Sequence, residues 1–96
     1  METKFYIVIN IKSSKGFEGY GRFYIGNNRE FAENVFNQLL GSDAVTEQNV
    51  LHLDFMEMVD ELPVNIKMIR CTLSELAENC KIITKEVFKL FNLREL

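Results

Sequence analysis

Apolar and polar side chains alternate along the beginning of the chain. From Lys4 to Lys12 the odd positions are all apolar, and aromatic or β-branched residues dominate, as on a half-buried pleated surface. The pattern predicts a strand whose core face is formed by Phe5, Ile7, Ile9 and Ile11. The residues at 13–19 include serines and glycines, which predict a turn region longer than a tight hairpin.

A second strand is predicted from about Tyr20 to Ile25. Phe23 and Ile25 then face the core, whereas Arg22 and Tyr24 face the opposite side of the sheet.

Two further strands are predicted in the second half of the chain. One runs from Val50 to about Met58, with its odd positions facing one way and its even positions the other. A turn at 59–63 follows, since Pro63 lacks an amide donor and suits the start of a strand. The last strand runs from Val64 to Cys71, and both of its faces are mixed, so alternation does not decide which one is buried.

Apolar residues spaced three and four apart predict two helices, at about 28–40 and 73–93. Gly41 stands where a helix-ending glycine would adopt left-handed dihedrals. The second helix has a broad apolar stripe, which is predicted to face the core and consists of Leu73, Leu76, Ala77, Cys80, Ile83, Val87, Phe88, Leu90 and Phe91. Ile82 and Leu93 fall outside this stripe, on the opposite side of the helix.

The two helices begin with a related signal. The segments at 30–34 and 75–79 share the pattern Glu-(Phe/Leu)-Ala-Glu-Asn, and the second copy lies 45 residues after the first. Thr72 and Glu75 have the spacing of a capping box, in which each side chain accepts a hydrogen bond from the other residue's backbone. Asn27 and Glu30 have the same spacing with an asparagine cap. We interpret the chain as a pseudo-repeat of two ββα units, 1–41 and 45–96, within a single domain of residues 1–96.

These elements predict an α+β fold that is ferredoxin-like or a permuted relative of it: a two-layer sandwich of order ββαββα, with a four-stranded antiparallel sheet and two helices on one face. Strand order 2-1-3-4 is preferred because it places the two most apolar strands in the middle. Order 1-2-4-3, a permuted ferredoxin-like sheet, satisfies the same symmetry and remains an alternative.

Composition is typical of an ordinary soluble globular domain, with 47% hydrophobic and 26% charged residues. The longest apolar run is far too short to span a membrane and the N-terminus lacks a signal-peptide pattern, so a cytoplasmic location without membrane association is expected. A net charge of −3 makes nucleic acid an unlikely partner. Cys71 and Cys80 are too few for a disulfide framework or a zinc site, and two buried thiols are expected instead.

Candidate chemistry is sparse. His52 and Asp54 share a strand face and could act as an acid–base pair or hold a cation, but a half-exposed histidine beside a solvating carboxylate is the simpler interpretation. The glycine-rich segment 15–23 lacks both the helix and the Gly-Lys-Ser/Thr of a phosphate-binding loop. It also departs from the aromatic motif of RNA-recognition modules, because Glu18 stands at a small-residue position. We therefore expect no enzyme activity, no metal and no cofactor.

The most informative feature is the sheet face that the helices leave uncovered. It is predicted to carry an aligned set of tyrosine, methionine and arginine side chains, which are residues enriched in protein–protein contacts. The polar residues predicted among them are Asn10, Arg22, Asp54 and Lys67. With two residues of the last helix, the interface candidates are Tyr6, Val8, Arg22, Tyr24, His52, Met56, Ile69, Ile82 and Leu93. The sequence thus predicts a small interaction domain that self-associates, most simply as a dimer, through the open sheet face or the C-terminal helix. The alternatives are a single-stranded nucleic-acid-binding module and a small-ligand regulatory module. In the first, Tyr6 and Tyr24 would stack on bases, and Arg22, Lys12 and Lys67 would contact phosphates.

Overall fold

The fold was analysed in a computed structural model, which describes residues 3–42 and 51–93. Its elements are β1 (Thr3–Ser13), β2 (Gly16–Tyr24), α1 (Arg29–Asn37), β3 (Leu51–Val59), β4 (Leu62–Cys71), α2 (Leu73–Phe88) and a C-terminal π-helical segment (Lys89–Leu93). The strands form one antiparallel sheet in the order β2-β1-β3-β4. The α+β class, the ββαββα order and the preferred strand order are confirmed. The fold is not a ferredoxin-like one, whose elements follow the order βαββαβ.

The hydrophobic core lies on the odd-numbered side of β1 and β3. Its buried side chains form a single cluster with residues from both helices, and in the cluster Phe36 of α1 stacks on Phe55 of β3 with ring centroids 5.3 Å apart. The buried members are Phe5, Ile7, Ile9, Ile25, Ala32, Val35, Phe36, Leu51, Leu53, Phe55, Cys71 and Ile83. The predicted inward positions of β1 and β3 are therefore confirmed, and the even-numbered positions of these strands point away from the core.

Both helices start with side-chain caps. Thr72 and Glu75 form the predicted capping box: the Glu75 amide donates to Thr72 Oγ1 at 3.2 Å, and the Thr72 amide donates to Glu75 Oε1 at 2.9 Å. In α1 the cap is Asn28, one residue later than predicted, and its Oδ1 accepts from the amide of Phe31 at 2.9 Å.

The helix α1 is shorter than predicted, since it ends at Asn37, and Gly41 does not serve as its left-handed cap. Gly41 instead passes close to β4: a Cβ atom there would lie 2.8 Å from the carbonyl oxygen of Arg70. The next residue, Ser42, exchanges two backbone hydrogen bonds of 2.9 Å with Arg70. Ser42 therefore extends the sheet beyond β4 at this point, and Gly41 permits that approach because it has no side chain.

Both hairpins are tighter than predicted. Ser13 pairs with Gly16, so Ser14 and Lys15 alone connect β1 to β2, which begins four residues earlier than predicted. Asp60 and Glu61 alone connect β3 to β4, with φ angles of 50° and 71°. Positive φ at both central residues is typical of a type I′ hairpin turn, although these turns favour Asn-Gly.

The buried face of α2 differs from the predicted stripe. Asn79 and Ile83 are its fully buried residues, and Leu76 and Val87 pack against the core. Leu73 and Phe88 were predicted to be in the core but are 71% and 55% exposed. The π-helical segment replaces the last turns of the predicted single helix. None of the helices in the described ranges is long and apolar enough to cross a membrane.

Candidate interaction surface

The candidate site is the sheet surface on the side opposite the core, which we call the open face. Within residues 3–42 and 51–93, neither helix lies across it, because the buried residues of both belong to the cluster on the other side. The cross-strand pairing assigns to the open face Lys4, Tyr6, Val8, Asn10, Lys12, Gly19, Arg22, Tyr24, His52, Asp54, Met56, Met58, Pro63, Asn65, Met68 and Arg70. Most of these side chains are only partly exposed, and Arg22 and Tyr24 are the most accessible near its β2 edge.

Strand register arranges the centre of the open face in rows that run across the sheet. The middle row consists of Arg22 on β2, Val8 on β1 and Asp54 on β3. Directly opposed residues of antiparallel strands point to the same side of the sheet, so these three side chains stand next to one another. An aromatic row, Tyr24–Tyr6–Met56, lies on one side of the middle row, and a polar row, Gly19–Asn10–His52, lies on the other.

The aromatic row is a packed group of rings. The ring centroids of Tyr6 and Tyr24 are 5.4 Å apart, and the guanidinium carbon of Arg22 lies 4.9 Å from the Tyr6 centroid. Tyr24 also stacks on Phe91 of the C-terminal segment, with centroids 6.1 Å apart and planes at 22°. Ring pairs of this kind and a cation over a tyrosine each contribute about 0.5–1.5 kcal/mol. The edge of the open face is thereby connected to the end of the C-terminal helix.

The carboxylate of Asp54, in the middle row, is hydrogen-bonded to the polar row through only one of its two oxygens. Oδ2 of Asp54 accepts a hydrogen bond from Nδ2 of Asn10 at 2.5 Å. Oδ1 of Asp54 is buried and has no hydrogen-bond partner among the described residues. A buried carboxylate oxygen without a donor is costly, so a donor that reached this atom would stabilise it.

His52 lies between a cation and an anion. Burial is the largest cause that lowers the pKa of His52 below its ordinary value, and the guanidinium of Arg70 lowers it further. The carboxylate of Asp54 opposes this shift. The lowered pKa keeps His52 mainly neutral at pH 7, so its ring offers one hydrogen-bond donor and one acceptor rather than a positive charge. Within the described ranges, no three His, Cys, Asp or Glu residues come together to hold a metal ion.

On β4 the structure corrects the predicted membership of the open face. Ile69 pairs with the core residue Leu53 and packs against the core, so its predicted place on the open face is wrong. Lys67, also predicted there, pairs with Phe55 and belongs to the other side. A bulge at Ile66 changes the alternation of this strand. Met68 and Arg70 take the open-face positions, opposite Asp54 and His52 respectively.

The helix α2 presents a second candidate surface on its outer side. Its exposed apolar residues are Leu73, Ala77 and Phe88, and Lys81 and Lys85 line the same surface as Phe88. The interface candidate Ile82 is half-buried rather than directed fully outward. The side chain of Leu93, the other candidate on this helix, lies outside what the structure describes.

The two cysteines differ in environment: Cys71 lies in the core, and Cys80 lines the outer side of α2. Cys71 is fully buried in the core, and burial, followed by the nearby Glu75 carboxylate, raises its pKa to about 11. A thiol with this pKa is protonated at neutral pH and is a poor nucleophile. Cys80 is partly exposed on α2, and both cysteines are free.

Comparisons of this chain with protein-family models, with curated proteins and with solved structures find no match. The open face and the outer side of α2 therefore have to be interpreted from their own geometry.

Six of the nine predicted interface candidates lie together on the open face: Tyr6, Val8, Arg22, Tyr24, His52 and Met56. Sequence reasoning did not include Met68 and Arg70 among the candidates, because a bulge cannot be recognised from alternation in a strand whose two faces are both mixed. The unsatisfied Asp54 oxygen also left no signal in the sequence, since it depends on Asn10 occupying only one of the two carboxylate oxygens.

Proposed function

We propose that this protein is a small non-enzymatic interaction domain that associates with a second copy of itself through the open face. One observation carries the proposal: large apolar and amphipathic side chains line a sheet surface that neither helix covers. A contiguous apolar surface on a small domain is characteristic of an interaction site, and tyrosine, methionine and arginine are enriched at such sites.

The chemistry of the open face supports a protein partner over a nucleic acid. The ring of Tyr6 contacts Arg22 and Tyr24, and the ring of Tyr24 contacts Phe91, so a stacked base would compete with these contacts for part of each ring. The proposed phosphate contact Lys67 lies on the opposite side of the sheet. These contacts and the net charge of −3 favour a protein partner over a single-stranded nucleic acid.

The outer side of α2 is a second candidate surface for self-association. The high exposure of Leu73 (71%) and Phe88 (55%) favours it. However, Lys81, Lys85 and Lys89 line this surface around Phe88, so two copies that met there would bring like charges together.

Sedimentation equilibrium tests the proposal with matched charge insertions on the two surfaces. Met56→Glu places a charge in the aromatic row of the open face, Phe88→Glu places one on the outer side of α2, and Gln38→Glu provides an exposed control on the helix side. We expect the wild type to associate at micromolar concentrations and Met56→Glu to be monomeric, with the other two variants unchanged. A wild type that stays monomeric at high micromolar concentration contradicts self-association. If only Phe88→Glu dissociates the dimer, the interface lies on α2 instead of the open face.

A further inference from the structure

The open face carries charges in a self-complementary arrangement. Arg22 and Asp54 occupy the same row, one strand to either side of Val8 on β1. Among the described residues Arg22 makes no salt bridge, and Asp54 retains its buried, unsatisfied Oδ1. A cation without a counter-ion and a carboxylate oxygen without a donor are thus symmetrically placed about one strand.

We propose that two copies pair face to face around a two-fold axis that lies above β1 and runs parallel to it, so that Arg22 of each copy binds Asp54 of the other. This inference rests on the proposed function, because it specifies how the open face is used. The axis exchanges β2 of one copy with β3 of its partner and keeps every row in register. Arg22 then faces the partner's Asp54, and Val8 faces the partner's Val8.

The distances suit this arrangement. Packed sheets lie about 10 Å apart, a gap that an extended arginine and a short aspartate fill together. Arg22 and Asp54 each stand one strand spacing, about 5 Å, from the axis. The rotation of about 30° between packed sheets therefore displaces them by only about 2–3 Å. The guanidinium would form a charge-assisted hydrogen bond with the Asp54 carboxylate, and it would reach the buried Oδ1 once the side chains that cover this atom move aside.

The neighbouring rows are compatible with the same axis. Tyr24 faces the partner's Met56, and a methionine beside an aromatic ring is a favourable contact. His52 faces the partner's Gly19, which has no side chain and leaves space for the imidazole. Lys4 and Lys12 lie at the two ends of β1, both exposed, so they fall at the rim of the interface where like charges can separate in water.

Charge also excludes the other simple two-fold. A two-fold axis that lies in the same plane but runs perpendicular to the strands would place each strand over the equivalent strand of the partner. Arg22 would then face the partner's Arg22, and Asp54 the partner's Asp54, so that like charges would be buried against each other. The parallel axis is favoured because it alone pairs opposite charges.

The paired area is small. The three rows contribute nine residues per copy, where a stable interface of standard size uses about 20–30 a side. We therefore expect a weak, reversible dimer with a dissociation constant in the micromolar range, fast exchange and a dependence on ionic strength from the two ion pairs.

A charge exchange tests the arrangement by sedimentation equilibrium. Arg22→Asp and Asp54→Arg should each weaken the dimer about tenfold or more, because each creates two like-charge pairs. The double variant Arg22→Asp/Asp54→Arg should regain the wild-type dissociation constant to within a few-fold, since the pairs are reversed but restored. Circular dichroism establishes that each variant is folded. If Asp54→Arg does not fold, Asp54→Asn keeps the side-chain shape and should still weaken the dimer and its salt dependence.

The outcomes separate this inference from the proposed function. A wild type that does not associate contradicts both. Association that Met56→Glu abolishes, but that the double charge exchange does not restore, supports the open face as the interface and overturns the parallel two-fold. Association that is insensitive to both Arg22→Asp and Asp54→Asn also overturns the pairing.

Discussion

Asn79 binds the backbone of Leu40 through both atoms of its side-chain amide. Its Oδ1 accepts from the Leu40 amide at 2.7 Å, and its Nδ2 donates to the Leu40 carbonyl at 2.9 Å. Asn79 is the fully buried polar side chain of the core region, with no exposed surface. This pair of bonds fixes the segment that leaves α1 against the middle of α2, and it satisfies backbone groups that the short α1 leaves without helical partners.

Replacing Asn79 with alanine should therefore destabilise the fold. The change removes the partners of two backbone groups and leaves a cavity, and we expect a loss of roughly 2–3 kcal/mol in the free energy of unfolding. Urea denaturation followed by circular dichroism measures this loss. Asn34 is the matched control, because it occupies the same place in the repeated motif but is exposed. Equal effects of Asn34→Ala and Asn79→Ala would contradict the structural role of Asn79.

A methyl group at Gly41 should not be tolerated. The new Cβ would lie 2.8 Å from the carbonyl oxygen of Arg70, and the hydrogen bonds between Ser42 and Arg70 hold the two backbones together. We expect Gly41→Ala to cost about 1–3 kcal/mol of stability, as overpacking usually does. The same change at Gly21, where no atom lies within 4 Å, should cost no more than about 0.5 kcal/mol. Thermal or urea denaturation of the two variants compares them, and a larger loss at Gly21 would refute the explanation.

Stability should decrease as the pH falls below about 6.5, the ordinary pKa of histidine. Because the pKa of His52 is lowered in the folded state, the unfolded chain binds its proton more tightly there. The contribution of His52 is therefore complete above about pH 6.5 and is lost as the pH falls toward its folded pKa. Urea denaturation at about pH 7.5 and about pH 5.5 should show this loss. His52→Gln should reduce the difference, and an undiminished difference in that variant would assign it to other groups.

The two cysteines should differ sharply in reactivity. Cys71 is fully buried and its pKa is raised to about 11, whereas Cys80 is partly exposed. We expect iodoacetamide at neutral pH to label the folded protein once, at Cys80, and to label Cys71 only after unfolding. Mass spectrometry of native and denatured samples counts the labels. Cys80→Ser is the control, since its folded form should remain unlabelled; prompt labelling of Cys71 in that variant would show that the core opens readily.

The sequence pattern was sufficient to predict the elements whose two faces differ most in polarity. The alternation of β1 predicted its buried residues, and the Thr72–Glu75 spacing predicted the start of α2 and its capping box. Both signals are local: one depends on the two-residue period of a strand, and the other on a hydrogen-bonded ring of four residues. Strand order was predicted on a weaker but physical basis, since the most apolar strands occupy the centre of the sheet.

The repeated motif led to a wrong prediction of which face of α2 is buried. Ala32 of the first copy is fully buried, whereas the matching Ala77 of the second copy is exposed. Conversely, Asn34 is exposed and the matching Asn79 is buried. The helix α2 is thus rotated about its axis relative to α1, and this rotation depends on tertiary packing, in particular on the bonds from Asn79 to Leu40. The apolar stripe of α2 alone does not contain that information.

Turns and bulges account for the remaining differences between the predicted and the observed strands. Asp60 and Glu61 form a two-residue turn with positive φ although neither is glycine, so composition gave no signal for a tight hairpin. Tyr20 and Ile66 are the extra residues at the register shifts of β2 and β4. A single inserted residue reverses which side chains face the core beyond it, and this is why Ile69 was misplaced.

The contact between Tyr6 and Tyr24 has a spectroscopic consequence. The protein contains three tyrosines and no tryptophan, so tyrosines dominate its intrinsic fluorescence. Two of the three emitters lie in contact on the open face, and Tyr20 is 74% exposed on the edge strand. Any molecule that binds to the open face would change the solvent exposure of these two rings and the electronic coupling between them. The protein thus carries its own optical reporter at the surface where we propose that it associates, and binding there can be followed by emission and near-ultraviolet circular dichroism without any attached label.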